Sequence, residues 1–133
     1  SSFVDMPISH KVFLAQFDAI KKLASEGPCV MVGRCADYAL SEYKDCFSVF
    51  VHADTDWRIN RLSQKHNKTA KEAKDMINKT DKSRSSYYNY YTNKKWGAAS
   101  SYNLCVDSSK LGIDGAAKAI IQAIEIFDSI KNK

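Results

Sequence analysis

The sequence has no Gly-Lys pair. Its five glycines are followed by Pro28, Arg34, Ala98, Ile113 and Ala116. The G-x-x-x-x-G-K-[S/T] loop, whose backbone amides cradle nucleotide phosphates, is therefore not in these 133 residues. No stretch approaches the ~20 apolar residues of a membrane span, and no signal-peptide pattern opens the chain, so neither membrane insertion nor export is expected. The four cysteines, Cys29, Cys35, Cys46 and Cys105, form no C-x-x-C pair, which argues against zinc. They read as reduced thiols of a cytoplasmic protein, three of them inside or beside apolar runs where Cys acts as a small hydrophobe. His10, His52 and His66 lie far apart and read as surface or strand-end residues; no metal site is expected. Apolar residues at 44% and charged residues at 26% match ordinary globular usage and exclude a disordered tail or a low-complexity linker. The length fits one domain with a real core.

The net charge of +5 is uneven. Residues 58–95 hold 11 Lys or Arg against 3 Asp or Glu, a local +8, and the rest of the chain carries −3. Such a basic middle fits an anionic partner: a nucleotide, a phosphorylated metabolite or nucleic acid. The plain alternative is a solvated helix face.

Apolar spacing predicts a helix over 10–25 through Phe13, Phe17, Ile20 and Ala24, stopped at Gly27-Pro28. Cys29–Val32 reads as a strand buried on both faces, and Ala36–Tyr43 as a short helix with Tyr38 and Ala39 inward. Cys46–Val51 is a second strand candidate. Asp54 or Thr55 caps a helix through Trp57, Ile59 and Leu62. Gln64–Lys68 reads as a flexible connection. Thr69-Ala70-Lys71-Glu72 is a capping box that opens a long helix toward Tyr88 and Tyr91. Tyr102–Asp107 is a third strand, and Gly112 precedes a last helix with an isoleucine stripe. Strands alternating with helices predict a parallel α/β sheet.

Open α/β sheets bind ligands beyond the carboxyl ends of their strands. This favours Arg34 and Asp37 after the first run, His52 and Asp54 after the second, and Asp107, Ser108 and Ser109 after the third. Arg34 suits bidentate contact with a phosphate, and Gly33 lets the chain turn there; structural pairing with Asp37 or another carboxylate is the alternative. Asp81 and Arg84 share a helix face, and Arg58 and Arg61 repeat that spacing on the preceding helix. The two helices would close over a polyphosphate. Tyr87, Tyr88, Tyr90, Tyr91 and Trp96 read as packing for the long helix, with base stacking as the alternative.

Four segments together resemble the cytidylate kinase-like family, bacterial relatives of cytidylate kinase among the P-loop nucleoside monophosphate kinases. They are G-P-C-V-M-V-G-R-C-A-D-Y from Gly27, V-F-V-H-A from Val49, D-K-S-R-S-S-Y-Y-N-Y-Y-T from Asp81 with K-W-G from Lys95, and Y-N-L-C-V-D-S-S-K-L-G-I-D from Tyr102. The resemblance spans residues 13–126. It implies a P-loop NTPase-type three-layer α/β/α fold with a parallel sheet and a helical lid over about 58–95. The 133 residues would form one partial kinase domain whose first strand and P-loop lie outside them.

The resemblance also implies roles. Arg34 matches the Arg of a G-R-D motif that contacts the acceptor nucleotide; here Cys35 stands where that motif has Asp, and the acid follows as Asp37. Asp81 and Arg84 match a D-x-x-R in which the Asp holds the acceptor sugar and the Arg reaches the transferring phosphates. An Arg one turn before that Asp is replaced here by Ile77. Arg58 and Arg61 match the lid entrance, and Asp107, Ser108 and Ser109 the loop near the donor adenine. The implied reaction moves the γ-phosphoryl of ATP, with Mg2+, to CMP or dCMP. The partners expected are those nucleotides and the missing N-terminal segment, with a homo-oligomer left open; no membrane is expected, and nucleic acid is disfavoured. These 133 residues alone are expected to be inactive and to self-associate or unfold. The rival readings are another small-molecule P-loop kinase and a non-catalytic nucleotide- or nucleic-acid-binding module.

Overall fold

A computed structural model of the chain describes residues 8–131. The fold divides into two compact units at Cys46/Phe47.

The first unit is helical. Helix α1 (Ile8–Glu26) buries Ile20 and packs Phe17 and Ala24 around it, the stripe read from spacing. It ends at Gly27, whose φ of 147° suits a residue without a side chain. Helix α2 (Ala36–Ala39) is one turn long and adds Ala36, Ala39 and the following Leu40 to the same core. Tyr38 stands against Phe17 with ring centroids 6.1 Å apart.

The Cys29–Val32 run is not a strand, which corrects the sequence reading. Val30 is 93% exposed and Val32 88%. A parallel strand buried on both faces exists only where neighbours supply its ladder and helices cover it. Four apolar residues signal that preference but carry no information about a partner.

The second unit holds the sheet. Strands β1 (Val49–His52) and β2 (Leu104–Asp107) are parallel, with Val49 opposite Leu104 and His52 opposite Asp107. Among the described residues the sheet has these two strands, so the third strand read from the sequence is not formed, and the chain is a mixed α/β fold that is mostly helical. Side chains pin the register at both ends. Asn103 Oδ1 accepts the Ser48 N–H at 2.9 Å, and Ser108 Oγ donates to the His52 carbonyl at 3.1 Å.

Parallel neighbours need a long crossover, and two helices provide it. Helix α3 (Thr55–His66) is capped by Asp54, whose Oδ2 accepts the Trp57 N–H. Helix α4 (Ala70–Thr92) runs 23 residues without Gly or Pro. Its capping box is formed: Thr69 N–H donates to Glu72 Oε1 at 2.9 Å, and Glu72 N–H to Thr69 Oγ1 at 3.1 Å. Residues 64–66 continue α3, so the connection shrinks to residues 67–69, with Asn67 left-handed at φ 50°. Helix α5 (Ser108–Lys131) packs on both strands and breaks at Gly112 (φ 73°, ψ 168°), where the sequence places the start of the last helix. No described helix is long and apolar enough to cross a membrane.

Candidate functional site

In the first unit the segment after the apolar run is a tight turn. Ala36 N–H donates to the Gly33 carbonyl at 3.2 Å, and the two residues between, Arg34 and Cys35, have φ of 59° and 56°. Two central residues at positive φ make a type I′ geometry, which ordinarily takes Asn-Gly. A side chain in the left-handed region costs roughly 1–2 kcal/mol, so holding Arg34 and Cys35 there is unfavourable locally. Cys35 is buried and adds to the core side of the turn, while Arg34 is exposed. Burial, with a smaller contribution from the Asp37 charge, pushes the Cys35 thiol up to about 11. It is a packed neutral thiol, not an activated nucleophile. Asp37 accepts the backbone N–H of Tyr38 at 2.9 Å in the first turn of α2.

In the second unit Arg58, Asp81 and Arg84 meet. Arg58 donates to both carboxylate oxygens of Asp81, Nη1 to Oδ2 at 2.8 Å and Nη2 to Oδ1 at 2.9 Å. Arg84 Nη2 donates to Oδ1 from the next turn of α4. Burial works against the Asp81 carboxylate, but the hydrogen bonds from Arg58 and Arg84 prevail and hold its pKa below the usual range. The hydrogen bond with Asp81 likewise raises the pKa of Arg58. Two guanidiniums on one carboxylate leave the cluster with a net positive charge, as an anion site needs. Arg58 is 29% exposed and Arg84 53%. Arg61, on the same helix as Arg58, is held apart from this cluster, over the Trp57 ring at 5.9 Å.

An aromatic group supports Arg84. Its guanidinium carbon lies 4.7 Å from the centre of the Trp96 ring. Trp96 meets Phe50 edge-on at 5.2 Å, and Phe50 stacks on Tyr102 at 4.8 Å. Tyr88 is buried and stands 6.1 Å from Tyr102, which is the packing role read for the tyrosines, whereas Tyr90 is 65% exposed. Sequence reasoning missed the Arg84–Trp96 contact and the part of Phe50. The K-W-G after the long helix was the available signal, with its glycine at φ 79°.

At the carboxyl ends of the strands, His52 and Asp107 are register partners. Asp107 Oδ1 accepts both the N–H and the hydroxyl of Ser109, and Ser109 Oγ accepts the Asp54 N–H at 3.0 Å. The bond from the Ser109 hydroxyl is the main cause of the lowered Asp107 pKa. Ser108 is buried, with its hydroxyl on β1. Asp107, Ser108 and Ser109 thus tie β1, β2 and the starts of α3 and α5 together. Among the described residues no group of three His, Cys, Asp or Glu side chains is placed to hold a metal ion.

The sequence matches the cytidylate kinase-like family over residues 1–110. The structure is similar to the crystal structure of an uncharacterized protein from Eubacterium ventriosum ATCC 27560. The TM-score is 0.85 at 33% identity, over 92% of this chain and 69% of that one. No curated protein matches the chain.

Proposed function

The chain belongs to the cytidylate kinase-like family, and from that premise we propose that it carries the acceptor and lid parts of a nucleoside monophosphate kinase with a P-loop NTPase-type fold. The reaction is transfer of the γ-phosphoryl of Mg·ATP to the 5′-phosphate of CMP or dCMP. The acceptor oxygen is already ionised near neutral pH, so no strong general base is needed; positioning and charge stabilisation carry the catalysis. That fits a candidate set of arginines with no His or Ser triad.

The observation that supports this reading most directly is the Arg58–Asp81–Arg84 cluster, two guanidiniums organised by one carboxylate on adjacent helices. In this proposal Arg84 spans the transferring phosphates, with Arg58 and Arg61 closing from the lid. Asp81 orients both Arg58 and Arg84 and contacts the acceptor sugar. Arg34 grips the acceptor phosphate, with Asp37 beside it. Asp107, Ser108 and Ser109 shape the loop near the donor adenine. The donor-phosphate loop, not found among these residues, comes from chain outside them, and Mg2+ enters with ATP.

The test is ATP-dependent phosphorylation by the full-length protein across a panel of nucleoside monophosphates. CMP and dCMP are expected as the best acceptors, and Arg84→Met is expected to lower kcat/KM by at least ~10²-fold, about 2.7 kcal/mol. Turnover of a non-nucleotide acceptor in place of the panel would reassign the protein to another kinase class.

A further inference from the structure

We propose that Trp96 is a positioning residue for Arg84, the plate that fixes the plane in which its guanidinium meets a phosphoryl group. The inference rests on the phosphotransferase reading and assigns a part that this reading does not contain.

Asp81 holds Arg84 through one nitrogen, Nη2 on Oδ1. A single hydrogen bond fixes a point and leaves the guanidinium free to swing about it. Bidentate recognition of a phosphoryl group needs the plane fixed as well, because both donors must reach oxygens at once. The Trp96 face, 4.7 Å from the guanidinium carbon, supplies that plane. Arg84 is then held on one edge by Asp81 and on one face by Trp96. At 53% exposure the remaining edge stays open to a ligand.

Trp96 is itself locked from three directions. Its backbone N–H donates to Asn89 Oδ1 at 2.7 Å, which ties it to α4 beyond Arg84. Its ring stands at 88° to Phe50 of β1, and Phe50 is stacked on Tyr102. The next residue, Gly97, donates its N–H to the Tyr102 hydroxyl at 3.2 Å. A Cβ at Gly97 would sit 3.5 Å from Phe50 Cζ, and its φ of 79° disfavours any side chain there. Helix, strand and turn therefore meet to place one indole face under one guanidinium. Packing alone explains a half-buried tryptophan, but not a charged side chain laid over its face and left open on the far edge.

The test is a double-mutant cycle in the full-length enzyme, with kcat and acceptor KM normalised to the folded fraction from thermal melts. Trp96→Leu is expected to lower kcat about tenfold with KM within about twofold, since the plate acts on the transition state. In the Arg84→Met background the same substitution is expected to change kcat by less than about twofold, because its effect runs through the missing guanidinium. Trp96→Phe, which keeps an aromatic face, is expected to stay within about threefold of the parent. A Trp96→Leu loss of the same size with and without Arg84 overturns the inference and makes Trp96 a packing residue, as does a Trp96→Phe variant no better than Trp96→Leu. If Arg84→Met alone leaves kcat unchanged, the role of Arg84 in the proposed function falls, and this inference with it.

Discussion

Arg58 holds Asp81 with both terminal nitrogens of its guanidinium, at 2.8 and 2.9 Å, and so fastens α3 to the middle of α4. The same carboxylate also holds Arg84. One acidic side chain thus organises two of the basic ones in the +8 segment, and its removal is informative.

Asp81→Asn is expected to destabilise the protein by about 1–2 kcal/mol, above a surface ion pair because the contact is bidentate and partly buried. The loss is pH-dependent. The folded Asp81 pKa is depressed, so its contribution is complete above the unfolded value of about 3.9 and fades as pH falls through the folded one. Urea melts from pH 7 to pH 3 should show the gap between the parent and Asp81→Asn closing in the acid range. A constant gap would mean that the carboxylate charge is not what stabilises.

Arg34→Gly is expected to separate stability from activity. Glycine relieves the left-handed conformation at φ 59° and should stabilise the fold by about 0.5–1 kcal/mol, after the entropy it adds to the unfolded chain. In the proposed reaction it removes the grip on the acceptor phosphate, and kcat/KM should fall by at least ~10²-fold. A thermal melt and a rate assay on one preparation read both effects. A destabilised Arg34→Gly would show that the guanidinium supports the fold.

The four thiols should label in a definite order. Cys29 is exposed and Cys35 buried, with its thiol pushed up to about 11. Iodoacetamide at pH 8 should modify Cys29 first and leave Cys35 to the end, as mass spectrometry of the peptides will read. Early modification of Cys35 would mean that the turn opens readily. Because burial favours the neutral thiol, the stability Cys35 adds is present below about 9.0, its ordinary value, and is lost as pH rises through about 11.

Thr69→Ala should cost about 1 kcal/mol, since it removes the cap on the Glu72 N–H at the start of α4. Thr69→Ser should recover most of that loss in a thermal melt. No recovery would show that the threonine methyl, and not the hydroxyl, stabilises the turn.

The helices were legible because their causes are local. The Phe17–Ile20–Ala24 stripe and the Thr69–Glu72 box each sit within one or two turns and form as read, and of the two cap candidates Asp54 and Thr55 the structure uses Asp54. The spacing of Asp81 and Arg84 puts them on one helix face, and there the structure finds them hydrogen-bonded. What failed depended on distant partners. Cys29–Val32 has strand composition, but a ladder needs a second strand that four residues cannot name. The Arg58–Asp81 bond joins positions 23 residues apart. The Trp96–Phe50 contact spans still more chain, and nothing local in the sequence pairs the two rings. The sequence places Ser108 in a ligand loop; its burial and its bond to the His52 carbonyl depend on where β1 lies.

Helix α4 has a consequence for movement. Its 23 residues are unbroken by Gly or Pro, and the α3 hairpin is bolted to it at Asp81 by Arg58. Tyr88, further along, is buried against the neighbourhood of the sheet. At 1.5 Å per residue, Asp81 stands roughly 16 Å from the hairpin tip. The rod therefore works as a lever with Arg84 near its middle: a tilt of the basic tip does not dissipate in a loop but turns the whole helix.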